Sequence, residues 1–195
     1  MIIGIYGPIA SGKDEVVKIL NEILNPDLSL ILDADKFGKF VVENNFNRIS
    51  NIFNVKNLYE LSNLVFSDFS TFINYNNFIH PILSSKLRSI LENQIFKGEK
   101  IILLNCALLF RFKLEFFCDK IFYIDAEKEL KIERLIKRNK ITKKEAEKRI
   151  DFQERIENYK RVQEICKFYI SSKIHFIKNN ENIEVLKQKV KKVII

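Results

Sequence analysis

A chain of 195 residues, 47% hydrophobic and 30% charged, can pack one α/β domain and is too apolar for global disorder. Its 33 Lys and Arg against 25 Asp and Glu give a formal charge of +8, which favours anionic partners. The basic residues are spread rather than blocked, so nucleic-acid binding is not expected as its main function.

Ile2 to Tyr6 is an apolar run closed by Gly7 and predicts a buried strand. Val16, Val17, Ile19, Leu20, Ile23 and Leu24 then recur at helical spacing, and Asn25-Pro26 ends that helix. Leu28 to Leu32 predicts a second strand, running into Asp33-Ala34-Asp35. A helix with Phe37, Phe40, Val41 and Val42 on its apolar face is expected next. From about Asn44 to Gly98 the pattern is helical, rich in Phe and Asn and without a strand, as in a helical insertion. Ile101 to Leu104 and Lys120 to Ile124 are the third and fourth strand candidates. Glu127 to Asn139 is amphipathic, and Thr142-Lys143-Lys144-Glu145 is a capping box opening a helix expected to reach about Ile165. Phe168 to Ile170 and Ile174 to Ile177 compete for the last strand, before a lysine-rich helix over Glu184 to Val193. Strands alternating with helices predict a parallel sheet covered on both faces.

Cys106, Cys118 and Cys166 lack a Cys-x-x-Cys pairing, which argues against a disulfide framework or a cysteine metal site. No apolar run reaches the ~18 residues of a membrane span, and no charged leader precedes the first strand. The expected compartment is the cytoplasm, with no membrane partner.

The stretch GPIASGKD, residues 7 to 14, follows the first strand and opens the first helix. Gly7 and Gly12 permit a tight turn that aims backbone N–H groups at phosphate, and Lys13 adds a point charge. Asp14 stands where such loops carry a hydroxyl. A carboxylate there is a hard ligand for Mg²⁺, but it also repels a triphosphate by about 1 kcal/mol at ~4 Å in water. Asp33 and Asp35 close the second strand, and carboxyl ends of parallel strands line the ligand crevice. One of them could take the proton of an attacking hydroxyl; either could equally cap the next helix. Arg134 and Arg138, four apart, share one helical face and fit an anion, although a solvated face explains them as well.

In their order and spacing these stretches resemble the dephospho-CoA kinases, over most of the chain. LILDADKFGKFVVE is similar to the family's Asp-Ala-Asp segment, FIHPIL to its His-Pro element, LLF at Leu108 to Phe110 to its central strand-end motif, and KIERLIKRNKITKKEAEKRIDFQ to its lid and following helix. The resemblance implies a P-loop kinase three-layer fold with a core at about 1–43 and 99–195. It further implies a helical CoA-side subdomain at about 44–98 and a lid at about 134–155. The activity implied is transfer of the ATP γ-phosphoryl group to the ribose 3′-hydroxyl of dephospho-CoA, with Mg²⁺. Carried over, Gly7, Ala10, Ser11, Gly12, Lys13, Asp14 and Glu15 hold the ATP phosphates, and Asp14 is also the metal ligand. Asp35 is the base, Arg134 and Arg138 contact phosphate, and Asp33 and His80 lie on the substrate side.

The chain departs from that pattern at Asp14, at Asn57-Leu58, at Asn105 (an aspartate in the family), at Ala107 (a proline) and at Arg111 (a glutamate). Loss of an acid at residue 105 and gain of one at residue 14 suggest an exchange of metal-ligand duties. The adenine-side turn falls at Ser171-Ser172 or at Asn179-Asn180. Two other functions compete: a nucleotide-binding protein of this fold with impaired catalysis, and a kinase of nucleosides or nucleotides.

Overall fold

The computed structural model describes residues 1–97, 100–169 and 172–194. Five parallel strands form the sheet: β1 (Ile2–Tyr6), β2 (Ser29–Asp33), β3 (Ile101–Asn105), β4 (Lys120–Asp125) and β5 (Ile174–Lys178), in the order β2-β3-β1-β4-β5. Nine α-helices lie among the described residues. They are α1 (Lys13–Ile23), α2 (Ala34–Asn44), α3 (Phe46–Phe53), α4 (Leu58–Val65), α5 (Phe69–Lys97), α6 (Lys128–Asn139), α7 (Lys143–Glu157), α8 (Tyr159–Tyr169) and α9 (Ile183–Ile194).

Alternate residues of each strand face opposite layers, and the two layers are separate apolar clusters. Ile3, Ile5, Leu103, Phe122 and Ile177 pack against Val16 and Leu20 of α1 and Leu186 and Val190 of α9. Ile2, Tyr6, Ile102, Leu104 and Ile121 pack on the other face, with Val41, Ile49, Leu61, Leu87 and Phe152 of the surrounding helices. A fully buried Ile or Leu contributes about 1.5–3 kcal/mol, so this double-sided burial is what holds the short strands in place.

The sheet order positions the site. Strand β3 lies between β1 and β2, and Asn105 at its carboxyl end is in register with Ile5 on one side and Asp33 on the other. The turn leaving β1, the start of α2 and the residue ending β3 therefore meet at one edge.

Four expectations change. The second strand begins one residue later than expected, because Pro26 to Leu28 close a 3₁₀ turn capped by Asn25. Phe40 is exposed and stacks on Phe37, while Val41 carries the contact to the core. The long helix breaks at Asn158, whose left-handed backbone (φ 48°) ends α7. Its amide donates to the Glu154 carbonyl, and its side chain accepts from Arg161 N–H to start α8. Phe168 and Tyr169 belong to α8, Ile170 lies outside the described residues, and the last strand is Ile174–Lys178.

Candidate active site

Gly7 and Gly12 leave β1 with φ of +148° and +98°, a region that favours glycine. A Cβ on Gly7 would lie 1.9 Å from the Ile124 carbonyl oxygen, and one on Gly12 2.0 Å from Asn179 Nδ2. The loop thus lies hard against β4 on one side and the β5–α9 turn on the other. Lys13 is buried, and its Nζ donates back to the Gly7 and Pro8 carbonyls at 3.1 and 2.9 Å. Burial pushes its pKa down, opposed by the nearby Asp35 and Asp14 carboxylates.

The loop opens on a crevice of about 380 Å³. Lys13, Asp14, Asp35, Arg134 and Arg138 line it, together with Ala10, Gly12 and Glu15. Gly7 and Ser11 are buried members of the loop, and Glu15 is tied to Lys18 at 2.8 Å. Asp33 does not line the crevice. Its Oδ1 caps α2, accepting from the Asp35 and Lys36 N–H groups at 3.1 and 3.0 Å. Asp35, two residues on, is exposed at the crevice, yet the groups around it crowd its carboxyl. That crowding raises its pKa, opposed by Lys13 and reinforced by Asp33 and Asp14.

Asn105 joins the two halves. Its Nδ2 donates to Asp14 Oδ1 at 2.8 Å and, more weakly, to Asp33 Oδ2 at 3.4 Å.

Arg134 is anchored beside the loop, with one guanidinium nitrogen 3.0 Å from the Asn179 carbonyl and the other 3.4 Å from those of Ala10 and Ser11. Arg138, one turn further, is exposed and bonded only to Asn139 Oδ1 among the described residues. The C-terminal turn against the loop is Asn179-Asn180: Asn179 Nδ2 donates to the Ser11 carbonyl at 2.9 Å, and Asn180 bonds Glu127. Ser171 lies outside the described residues. Sequence reasoning missed Gln153 on α7, whose Oε1 accepts from Ile9 N–H and which also lines the crevice. A polar residue on a mostly polar helix gives no local signal of such a contact.

His80 lies elsewhere. With Asn76, Ser84, Arg111 and Phe112 it lines a separate depression along α5. Arg111 Nε donates to His80 Nδ1 at 3.2 Å, so the imidazole is neutral; burial and this guanidinium lower its pKa to about 4. Arg111 also donates to the Ile156 carbonyl, joining α5 to the end of α7.

Beneath the loop, Tyr6 OH donates to Glu157 Oε1 at 2.9 Å, and Tyr159 OH donates to the Ala107 carbonyl at 2.8 Å. Burial raises the Glu157 carboxyl to about 8 from an ordinary 4.5. Between those values the folded chain holds a proton that the unfolded chain has released, so stability falls as pH rises from about 4.5 to about 8. Glu157→Gln is expected to flatten that limb and to raise the urea midpoint at pH 8, with little change at pH 4. Urea titrations at the two pH values check it.

Comparison with known proteins agrees with this geometry. The family model described as Dephospho-CoA kinase matches residues 1–168. A dephospho-CoA kinase of Borreliella burgdorferi is 34% identical over 144 residues, covering 69% of this chain and 67% of that protein. One from Fusobacterium nucleatum is 32% identical over 208 aligned positions, covering 98% and 96%. Among solved structures, the dephospho-CoA kinase of Campylobacter jejuni superposes with a TM-score of 0.60 at 26% identity, covering 99% of this chain and 95% of that one. No helix among the described residues is long and apolar enough to cross a membrane. A phosphate loop at the first strand–helix junction, a crevice of opposed carboxylates and basic groups, and these matches along the chain lead to one assignment: it belongs to the dephospho-CoA kinase family, ATP-dependent kinases that phosphorylate dephospho-CoA.

Proposed function

We propose that this chain transfers the γ-phosphoryl group of ATP to the ribose 3′-hydroxyl of dephospho-CoA in the crevice above Lys13. The observation that carries the reading is the convergence of Lys13, Asp35, Arg134 and Arg138 on that one crevice at the carboxyl end of the sheet. The loop N–H groups and the N-terminus of α1 hold the β- and γ-phosphates. Lys13 exchanges its two carbonyl acceptors for phosphate oxygens, which restores the charge that burial disfavours. Asp35 accepts the hydroxyl proton as the 3′-oxygen attacks phosphorus; the bond from phosphorus to the β,γ-bridging oxygen breaks, and ADP leaves with that electron pair. A raised pKa suits Asp35 to this role, because a stronger base takes the proton more readily. Arg134 and Arg138 stabilise charge on the transferring group.

The donor set fits Mg²⁺. Asp14 offers hard carboxylate oxygen inside the crevice, the kind of single protein ligand that an ion shared with nucleotide phosphate would take. Asp14 would hold the ion, whose charge would offset that of the phosphates and of the carboxylate itself.

Helices α6 and α7 act as a lid over about 134–155. They pack on each other through Ile132, Leu135, Ala146 and Ile150, a small cluster of their own that touches the loop at Ile9 and Ala10. The acceptor side is the helical segment of about 44–98, where His80 on α5, joined by Arg111 from beyond β3, presents polar groups to the CoA portion. Free, buried Cys106 and Cys118 suit a reducing cytoplasm.

A substrate panel tests the assignment. ADP release from ATP and Mg²⁺ should depend on dephospho-CoA, and nucleosides and nucleoside monophosphates should not replace it. Release driven equally well by a nucleoside or nucleotide would transfer the chain to another substrate class.

A further inference from the structure

Asp14 and Asn105 are 91 residues apart in sequence and in contact in the fold, with the Asn105 amide nitrogen 2.8 Å from Asp14 Oδ1. The same nitrogen is 3.4 Å from Asp33 Oδ2, and the Asn105 side chain is buried, at 3% exposure. Both acceptors are carboxylates, so the NH₂ end of the amide must face them and each takes one of its two hydrogens. Asp33 is already fixed by the start of α2, and Asn105 by the register of β3 between β1 and β2. Asp14 is the exposed member of the trio and the one that lines the crevice.

We infer that Asn105 is a positioning residue: its side-chain amide bridges Asp14 and Asp33 and holds the Asp14 carboxylate ready to take a divalent cation together with nucleotide phosphate. This rests on the kinase reading for its purpose, though not for its geometry. The bridge also explains why a carboxylate is workable at residue 14. A carboxylate at residue 105 would put three anionic groups together, whereas an amide donates to both neighbours. With a serine at residue 14, the same position could carry a carboxylate, accepting from the serine hydroxyl. Residues 14 and 105 are therefore one unit, and changes at them are not additive.

Five proteins test this: wild type, N105A, N105D, D14S and D14S/N105D. The probe is Mn²⁺, titrated by electron paramagnetic resonance in the presence of ADP, with thermal melting in metal-free buffer alongside. N105A is expected to weaken Mn²⁺ by about 10- to 100-fold, the range seen when the partner that orients a metal ligand is removed. N105D is expected to melt about 5 °C lower, and adding D14S should recover most of that loss. A purely structural role for Asn105 would lower melting in every variant of residue 105 without moving Mn²⁺ affinity, and residue 14 would not rescue it. Wild-type Mn²⁺ affinity in N105A, additive melting shifts in the double variant, or an N105D protein that melts like wild type would each overturn the inference. If N105A or N105D does not fold while D14S/N105D does, the rescue itself supports the coupling; if all three fail, residue 105 serves the core and the inference is lost. Neither readout uses dephospho-CoA, so an error in the acceptor assignment would leave these results standing and would show only in the substrate panel.

Discussion

Asp35→Asn is expected to lower turnover on the order of 10³-fold while the protein stays folded and binds ATP at least as well as before. The amide keeps the size of the carboxylate and loses the basic oxygen. Asp35 lines the crevice but caps no helix, the α2 cap being Asp33, so the substitution removes no bond that holds the fold. It also takes one negative charge away from the phosphate loop, which favours nucleotide. The acid limb of the pH–rate profile should change with it. Crowding raises the Asp35 pKa, so the wild-type rate falls with decreasing pH while the carboxylate is still above its ordinary titration range; the residual rate of the variant should lack that limb. Single-turnover kinetics at several pH values, with ATP affinity from calorimetry, check both parts. A variant that turns over within tenfold of wild type would remove Asp35 as base.

Gly7→Ala should be the most damaging change in the loop. Its φ of +148° is strained for any side chain, and the added Cβ would lie 1.9 Å from the Ile124 carbonyl oxygen. That oxygen belongs to the backbone of β4, which pairs with both β1 and β5 and cannot move away alone. The expected cost is about 4 kcal/mol or more, read as a lowered urea midpoint or as failure to recover soluble protein. Gly12→Ala shares the strain of a positive φ (+98°) but meets the Asn179 side chain rather than backbone, so its cost should be smaller and should fall partly on nucleotide affinity.

Much of the fold is legible in the sequence because it is written locally. The apolar runs at residues 2–6 and 101–105 are buried strands, and Thr142 and Glu145 make both bonds of the expected capping box. The break at Asn158 was hidden by the continuing apolar face: Phe152, Ile156, Tyr159 and Val162 all join one cluster, so periodicity runs through a turn that one left-handed asparagine makes. At the site, the types and local settings of Lys13, Asp35, Arg134 and Arg138 are visible from spacing, but their shared crevice is a property of strand order. Asp14 and Asn105 stand out in the sequence as a gained and a lost acid, but only the placement of β3 between β1 and β2 makes them neighbours. Gln153, and the choice of Asn179 against the loop, depend likewise on how α7 and the β5–α9 turn pack. The His-Pro pair places His80 on the substrate side, and α5 carries it to a depression of its own beside Arg111 and Phe112, apart from the phosphate crevice.

The most direct test of the central claim is phosphorus-31 NMR of the wild-type chain incubated with ATP, Mg²⁺ and dephospho-CoA. The account predicts loss of the ATP γ resonance, growth of ADP, and a new phosphomonoester signal coupled to the ribose 3′ proton of the acceptor. ATP that remains intact, or a phosphomonoester at any other position, would contradict it.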